Sequence, residues 1–254
     1  MTSLDDKVLV ASHKNQNIEV YDALKFELKC HITVPGDGKE ISGLAACGDS
    51  KCLYTSSGSS HNVCRFELTD SNEVKNDKKW STAKNPTGLS VNIAHNLVVA
   101  CFGAHVLQEY TTEGIIVREI SLQAGATSPC HAVQLSTGDY VVCRHTSPGA
   151  VCIVGLNGQV VHSYGHSQTL DVGELETPTS LAVTSSNNIL VADQYNNRIL
   201  LMNSSLSSVE ELALSVGRGI QRPCVLCVDQ SRGKFYVGEF RGFYRLLVFD
   251  AIGL

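Results

Sequence analysis

The sequence predicts an all-β fold: a six-bladed β-propeller of four-stranded antiparallel blades, with the terminal blades incomplete. Three observations predict it. Similar segments recur along the chain: ISGLAAC from Ile41, PTGLSV from Pro86, PCHAVQL from Pro129, PTSLAV from Pro178 and PCVLCVD from Pro223. Their intervals are 45, 43, 49 and 45 residues, the spacing of arrays with one supersecondary unit per period. Within each period, short apolar or β-branched runs alternate with Gly, Asn, Asp and Ser turns, and four strands per unit is the content of a propeller blade.

The fifth period sets the reference: SLAV, NILVADQ, RILLMN and SVEELAL give strands a, b, c and d from the inside outward. Proline suits the first residue of strand a, where no ladder donor is required. The fourth period offers AVQL, DYVVCRH, AVCIVGL and QVVHSYG; the third offers GLSV, NLVVACF, VLQEYT and IIVREISL. The second supplies GLAAC, KCLYTS, NVCRFEL and KKWST. At the start, VLVAS, NIEVYD and FELKCHITV provide b, c and d, and at the end VLCVD, KFYVGEF and RLLVFD provide a, b and c. The expected single domain spans 1–254, with blades at 7–35, 41–82, 86–122, 129–165, 178–214 and 223–250. The two partial blades do not add up to one. Either residues 1–6 add edge pairing or the chain is a fragment of a longer protein, and the second is the expectation.

A length of 254 residues can bury a substantial core. The 43% hydrophobic content, 18% charge and net charge of −5 lack the basic balance of a dedicated nucleic-acid binder. No window approaches the ~18 apolar residues of a membrane span, and MTSLDDKVLV is unlike a secretory signal, so a cytoplasmic protein with no membrane partner is expected. The ten cysteines lie mostly inside apolar runs, as packed thiols. Cys224 and Cys227 lie three apart in a strand, on opposite faces, which disfavours joint metal ligation. Cys47 with Cys52, and Cys143 with Cys152, flank short hairpin loops as candidate cross-strand neighbours.

VLVASHKNQNIEVYD superimposes without a gap on ILVADQYNNRILLMN, placing Ser12 on Asp193 and Asn17 on Arg198. The string VADxxNxRI, preceded by PxxLAV, resembles the NHL repeat, which forms six-bladed propellers in tripartite-motif proteins and in the amidating lyases. The match is strong over residues 178–203 and weaker elsewhere. This resemblance implies a binding module that, in a longer relative, would follow RING, B-box and coiled-coil segments and select targets for ubiquitin transfer. It also implies, more remotely, a metal-dependent lyase. The latter needs several inward histidines, and only His131 falls on strand a, where Gly43, Gly88, Ser180 and Val225 stand in other periods.

Asp193, Asn196 and Arg198 are expected to be structural, closing the b-to-c hairpin, because other blades place Cys101 and Val106, or Glu239 and Arg245, at the charged positions. No GxSxG, HExxH, P-loop or dinucleotide fingerprint occurs in the required context, so no enzyme, no catalytic residue, no metal and no cofactor are expected. Sorted by end of the blade, the b-to-c and d-to-a loops are rich in cations and aromatics. The opposite loops hold Asp49, Asp70, Glu73, Asp77, Glu113 and Asp139. The expected binding face therefore contains His61, Phe102, His105, His145, Tyr195, Asn197, Arg218, Arg222, Phe240, Arg241 and Phe243. The expected function is a monomeric, non-catalytic interaction scaffold with a protein or peptide as ligand. Single-stranded RNA on the same basic patch is the alternative.

Overall fold

A computed structural model provides the structure of the chain. It describes residues 1–11, 17–34, 40–146, 148–165, 173–214, 219–240 and 244–251. The fold is all-β, a six-bladed β-propeller, and it divides into two compact units, Met1–Ile120 and Ser121–Leu254, each with three blades.

In the first unit, β1 (Thr2–Leu4), β2 (Lys7–Ala11), β3 (Asn17–Asp22) and β4 (Leu28–Thr33) form the first blade in sequence order. β1 pairs with β2 from Thr2↔Leu9 to Leu4↔Lys7. Edge pairing by the first residues is thus realised, and it supplies the inner strand that the repeat pattern does not show. The second blade is β5 (Gly43–Cys47), β6 (Cys52–Ser57), β7 (Asn62–Leu68) and β8 (Val74–Ser81). The third is β9 (Pro86–Val91), β10 (Leu97–Cys101), β11 (Val106–Tyr110) and β12 (Ile116–Ser121).

In the second unit, the fourth blade is β13 (His131–Gln134), β14 (Tyr140–Arg144), β15 (Ala150–Val154) and β16 (Val160–Tyr164). The fifth is β17 (Pro178–Val183), β18 (Ile189–Asp193), β19 (Arg198–Met202) and β20 (Val209–Glu211). The last blade has three strands among the described residues: β21 (Pro223–Asp229), β22 (Lys234–Phe240) and β23 (Tyr244–Asp250).

Central strands are buried on both faces, which explains why ILVAD and AVCIV are continuously apolar where a half-exposed strand would alternate. The cores lie between successive blades. Leu9, Ile18, Leu44 and Phe66 fill one in the first unit, and Cys130, Val141, Cys143, Leu181, Val191 and Leu200 fill one in the second. Each such Leu, Ile, Val or Phe side chain contributes about 1.5–3 kcal/mol on burial. Side chains of strand a also satisfy the next blade's backbone: Leu181 N donates to His131 Nδ1 at 3.0 Å, and Leu226 N donates to Ser180 Oγ at 3.1 Å. His131 thus takes part in blade-to-blade packing.

Three inner strands open with the same bulge. Pro86, Pro178 and Pro223 pair with Cys101, Asp193 and Glu239, and the register then skips Thr87, Thr179 and Cys224. At the bulge a polar hydrogen finds a carbonyl: Thr87 Oγ1 donates to Ala100 O at 3.1 Å, and Cys224 Sγ donates to Gly238 O at 3.3 Å. No helix among the described residues is long and apolar enough to cross a membrane.

Candidate functional site

The charged hairpin of the fifth blade is a buried staple. Asp193 is 0% exposed. Its Oδ1 accepts from Glu176 N at 3.1 Å and Thr177 N at 3.3 Å, and its Oδ2 accepts from Asn196 Nδ2 at 2.7 Å and Arg198 Nε at 2.9 Å. Arg198 Nη2 and Asn196 Nδ2 also donate to Glu174 O, at 2.8 and 3.0 Å. One carboxylate therefore fixes the incoming connector to the b-to-c hairpin. The last blade repeats this with Glu239, which accepts from Gln221 N at 3.0 Å and pairs with Arg245 Nη2 at 2.6 Å. These residues hold the loops that display other groups.

The loops held in this way bring four of the expected binding residues together. Asn197, in the left-handed backbone with φ 56°, caps the hairpin tip, and its Oδ1 accepts from Arg222 N at 2.9 Å. The Arg222 guanidinium then lies 5.0 Å from the ring centroid of Tyr195 and 6.0 Å from that of Phe240. Phe240 N donates to Arg222 O at 3.2 Å, which ties the second ring to the same backbone. Tyr195 remains 49% exposed. A cation between two rings is held by their quadrupoles, and its planar fork keeps its geometry for an incoming anion.

Charge bookkeeping singles out the same place. Arg65 pairs with Glu67, Arg118 with Glu109, Arg198 with Asp193, Arg232 with Asp229 and Arg245 with Glu239. Among the described residues, Arg222 and Arg144 hold no carboxylate. Arg144 ends β14 beside the exposed His145, at the b-to-c end of its blade, so both arginines occupy the same end of the strands in this unit. Arg144 was not singled out from sequence because it occupies the Asp193 position, where the repeat pattern predicts a blade-closing residue.

The remaining expected residues divide into two groups. In the first unit, His61 (φ 53°) sits in the β6–β7 turn and its Nδ1 accepts from Asn85 N at 3.1 Å, while Phe102 N donates to Asn85 O at 3.0 Å. A single 3-10 turn, Phe102–Ala104, ends at the exposed His105 in the left-handed region. His61 and Phe102 thus share Asn85 and shape a loop junction. Arg218, Arg241 and Phe243 lie outside the described residues.

The cysteine expectations are sorted by register. Cys47 and Cys52 are direct partners in the β5–β6 ladder. Cys143 pairs with Val151, however, and Cys152 with Val142, so adjacent register positions send the two thiols to opposite faces of the blade. All ten cysteines are free thiols. The close pair in this blade is Cys130 with Cys143, Sγ to Sγ 3.2 Å, which hairpin spacing could not reveal because Cys130 precedes β13.

Comparison with known proteins adds the following. The NHL repeat family model matches residues 175–200, the segment that contains Asp193, Asn196 and Arg198. No curated protein is similar enough in sequence to match. Among solved structures, the Kuenenia stuttgartiensis hydrazine synthase is similar at a TM-score of 0.71 and 17% identity, covering 98% of this chain and 75% of that one. Virginiamycin B lyase from Staphylococcus aureus is similar at 0.65 and 13%, covering 96% and 82%. A nidogen/laminin complex structure is similar at 0.74 and 14%, covering 96% and 89%. Such identities show the fold alone. They overturn the expected step from repeat array to non-catalytic protein-binding or RNA-binding scaffold, because the same propeller is the fold of a synthase and a lyase. The chain is a six-bladed β-propeller that carries an NHL repeat at residues 175–200.

Proposed function

We propose that the second unit binds a small organic anion, a carboxylate or phosphate joined to a flat ring, on the platform formed by Tyr195, Arg222 and Phe240. The observation that carries this reading is the Arg222 guanidinium, stacked 5.0 Å from Tyr195 and holding no carboxylate among the described residues. An anion would take the guanidinium fork, and the exposed Tyr195 ring would carry the ligand's plane. The Asn197 bond to Arg222 N fixes the cation beforehand, so binding does not have to order a long side chain.

Calorimetric titration with phenyl phosphate, benzoate and the uncharged benzyl alcohol tests this reading. The two anions should bind, and benzyl alcohol should not. Arg222→Gln should weaken anion binding by about tenfold or more, the scale of one charge-assisted hydrogen bond of about 1.5–3 kcal/mol. Equal binding by the wild type and a folded Arg222→Gln variant would overturn it.

A further inference from the structure

The fourth blade departs from its neighbours at two positions that face each other. Where the third blade has Thr87 and Ala100, and the fifth has Thr179 and Ala192, the fourth has Cys130 and Cys143. Cys130 follows Pro129 as Thr87 follows Pro86, and it keeps the bulge's hydrogen bonds: its N donates to Cys143 O at 2.9 Å and its Sγ to the same oxygen at 3.2 Å. A second contact reaches the next blade, with Pro178 O 3.3 Å from Cys130 Sγ. A thiol thus stands in for a hydroxyl, directly against another thiol.

Three further properties distinguish this pair from the other cysteines. Both residues are buried, Cys130 at 8% exposed and Cys143 at 0%, so Cys130 is the less deeply covered of the two. The imidazole of His145, two residues beyond Cys143 and exposed, is near enough to Cys130 for thiol and imidazole to shift each other's titration. Burial acts to raise the Cys130 thiol's pKa, but the hydrogen bonds from Cys143 and His145 outweigh it and hold the thiol below its ordinary value, while burial pushes Cys143 well above. The reactive and the reserve thiol are thereby distinguished.

We propose that Cys130 and Cys143 are a cross-strand redox pair, a site of reversible oxidation by a hydroperoxide, with Cys130 as the attacking thiolate, Cys143 as the resolving thiol and His145 as the group that stabilises the thiolate. In the first step, Cys130 Sγ attacks one peroxide oxygen. An S–O bond forms, the O–O bond breaks, sulfur loses two electrons, and the peroxide's other oxygen leaves as hydroxide from hydrogen peroxide or as alkoxide from an organic hydroperoxide. In the second, Cys143 Sγ attacks the sulfenic sulfur. The S–S bond forms, the S–O bond breaks, and the hydroxyl leaves as water with the Cys143 proton. The sulfurs must close from 3.2 Å to the ~2.05 Å of a disulfide, a movement within side-chain rotation. Closing the bond removes the one Cys130 thiol hydrogen that is shared between Cys143 O and Pro178 O, so oxidation withdraws a donor from the contact between the fourth and fifth blades.

The experiment is exposure of the folded full chain to hydrogen peroxide at neutral pH, followed by alkylation and peptide mass spectrometry, with and without a thiol reductant. The expected first product is the Cys130–Cys143 disulfide, reversed by the reductant. Cys143→Ala should instead accumulate a Cys130 sulfenic acid that dimedone traps, and Cys130→Thr should give neither product. These substitutions install residues that neighbouring blades already use, so the variants keep the blade. His145→Gln should slow the first step by about tenfold near neutral pH and move its pH profile upward, because less thiolate is present. Oxidation of the wild type at other cysteines before Cys130, or an unchanged rate and pH profile in His145→Gln, would overturn the proposal.

Discussion

Asp193 and Glu239 occupy the same place in successive blades, each fully buried, each accepting a connector amide and each holding an arginine from the following strand. Exposed pairs of this kind contribute about 0–1 kcal/mol, but a buried carboxylate with several donors is different. Removing it leaves Arg198 or Arg245, and amides, without the acceptor. Asp193→Ala and Glu239→Ala should each lower stability by about 3–5 kcal/mol in urea denaturation. The Asp193 variant should lose more, since four donors converge on it. Losses under 1 kcal/mol in both would show that the connector is held by other means.

Acid should loosen the turn after β21. Burial works to raise the pKa of Asp229, but hydrogen bonds from Ser231 and Arg232 outweigh it and hold the carboxyl below its ordinary value. Ser231 Oγ donates to Oδ1 at 2.6 Å and Arg232 Nη1 to Oδ2 at 2.8 Å. A lowered folded pKa means that this contribution is complete above the unfolded value of about 4 and is lost as pH falls through the folded one. Denaturation midpoints near pH 7 and pH 3 should therefore separate the wild type from Asp229→Asn at the higher pH and narrow that difference at the lower. Parallel pH profiles would count against it.

A backbone constraint makes a third test. Gly165 follows the fourth blade with φ +117°, and an added Cβ would meet Gly149 O at 2.5 Å and Ala150 Cα at 3.1 Å. Both the positive φ and the nearby backbone resist a side chain. Gly165→Ala should lower the thermal midpoint, whereas Gly138→Ala, with φ +95° but open space, should cost less. Equal shifts would assign the whole effect to the dihedral.

Much of this architecture was legible because a propeller repeats its instructions. Prolines at a period of 43–49 residues mark inner strands, and turn residues such as Asn187 and Asn197 adopt the positive φ that their position demands. The pairing of Glu239 with Arg245 followed from aligning the last blade on the fifth. For residues 2–4, edge pairing was only one of two alternatives and not the expected one, because three residues carry no periodicity and their partner β2 is what makes them a strand. Tyr195, Asn197, Arg222 and Phe240 could be assigned to one end of the blades, but the stacking of Arg222 depends on its own positive φ of 48°, which no pattern announces. Burial of Asp193 was equally hidden, since a charged hairpin tip reads as solvated until the connector that covers it is placed. The dithiol was missed for a related reason: hairpin spacing favoured Cys143 with Cys152, while Cys130, just before β13, lies against Cys143.

The other thiols provide the contrast that gives the Cys130 chemistry its meaning. Burial pushes Cys101 up to about 12 and Cys152 up to about 11, and each lies in a central strand. Near neutral pH both are protonated and shielded, so an alkylating agent reaches them only when their blade opens. Iodoacetamide labelling along a urea series should leave Cys101 and Cys152 unmodified until the unfolding transition, with labelling midpoints that match the loss of β-sheet circular dichroism. Cys130 should be modified well before that transition. Labelling of Cys101 in native buffer at the rate of Cys130 would mean that opening of the blade, rather than the environment of the individual sulfur, controls thiol reactivity in this protein.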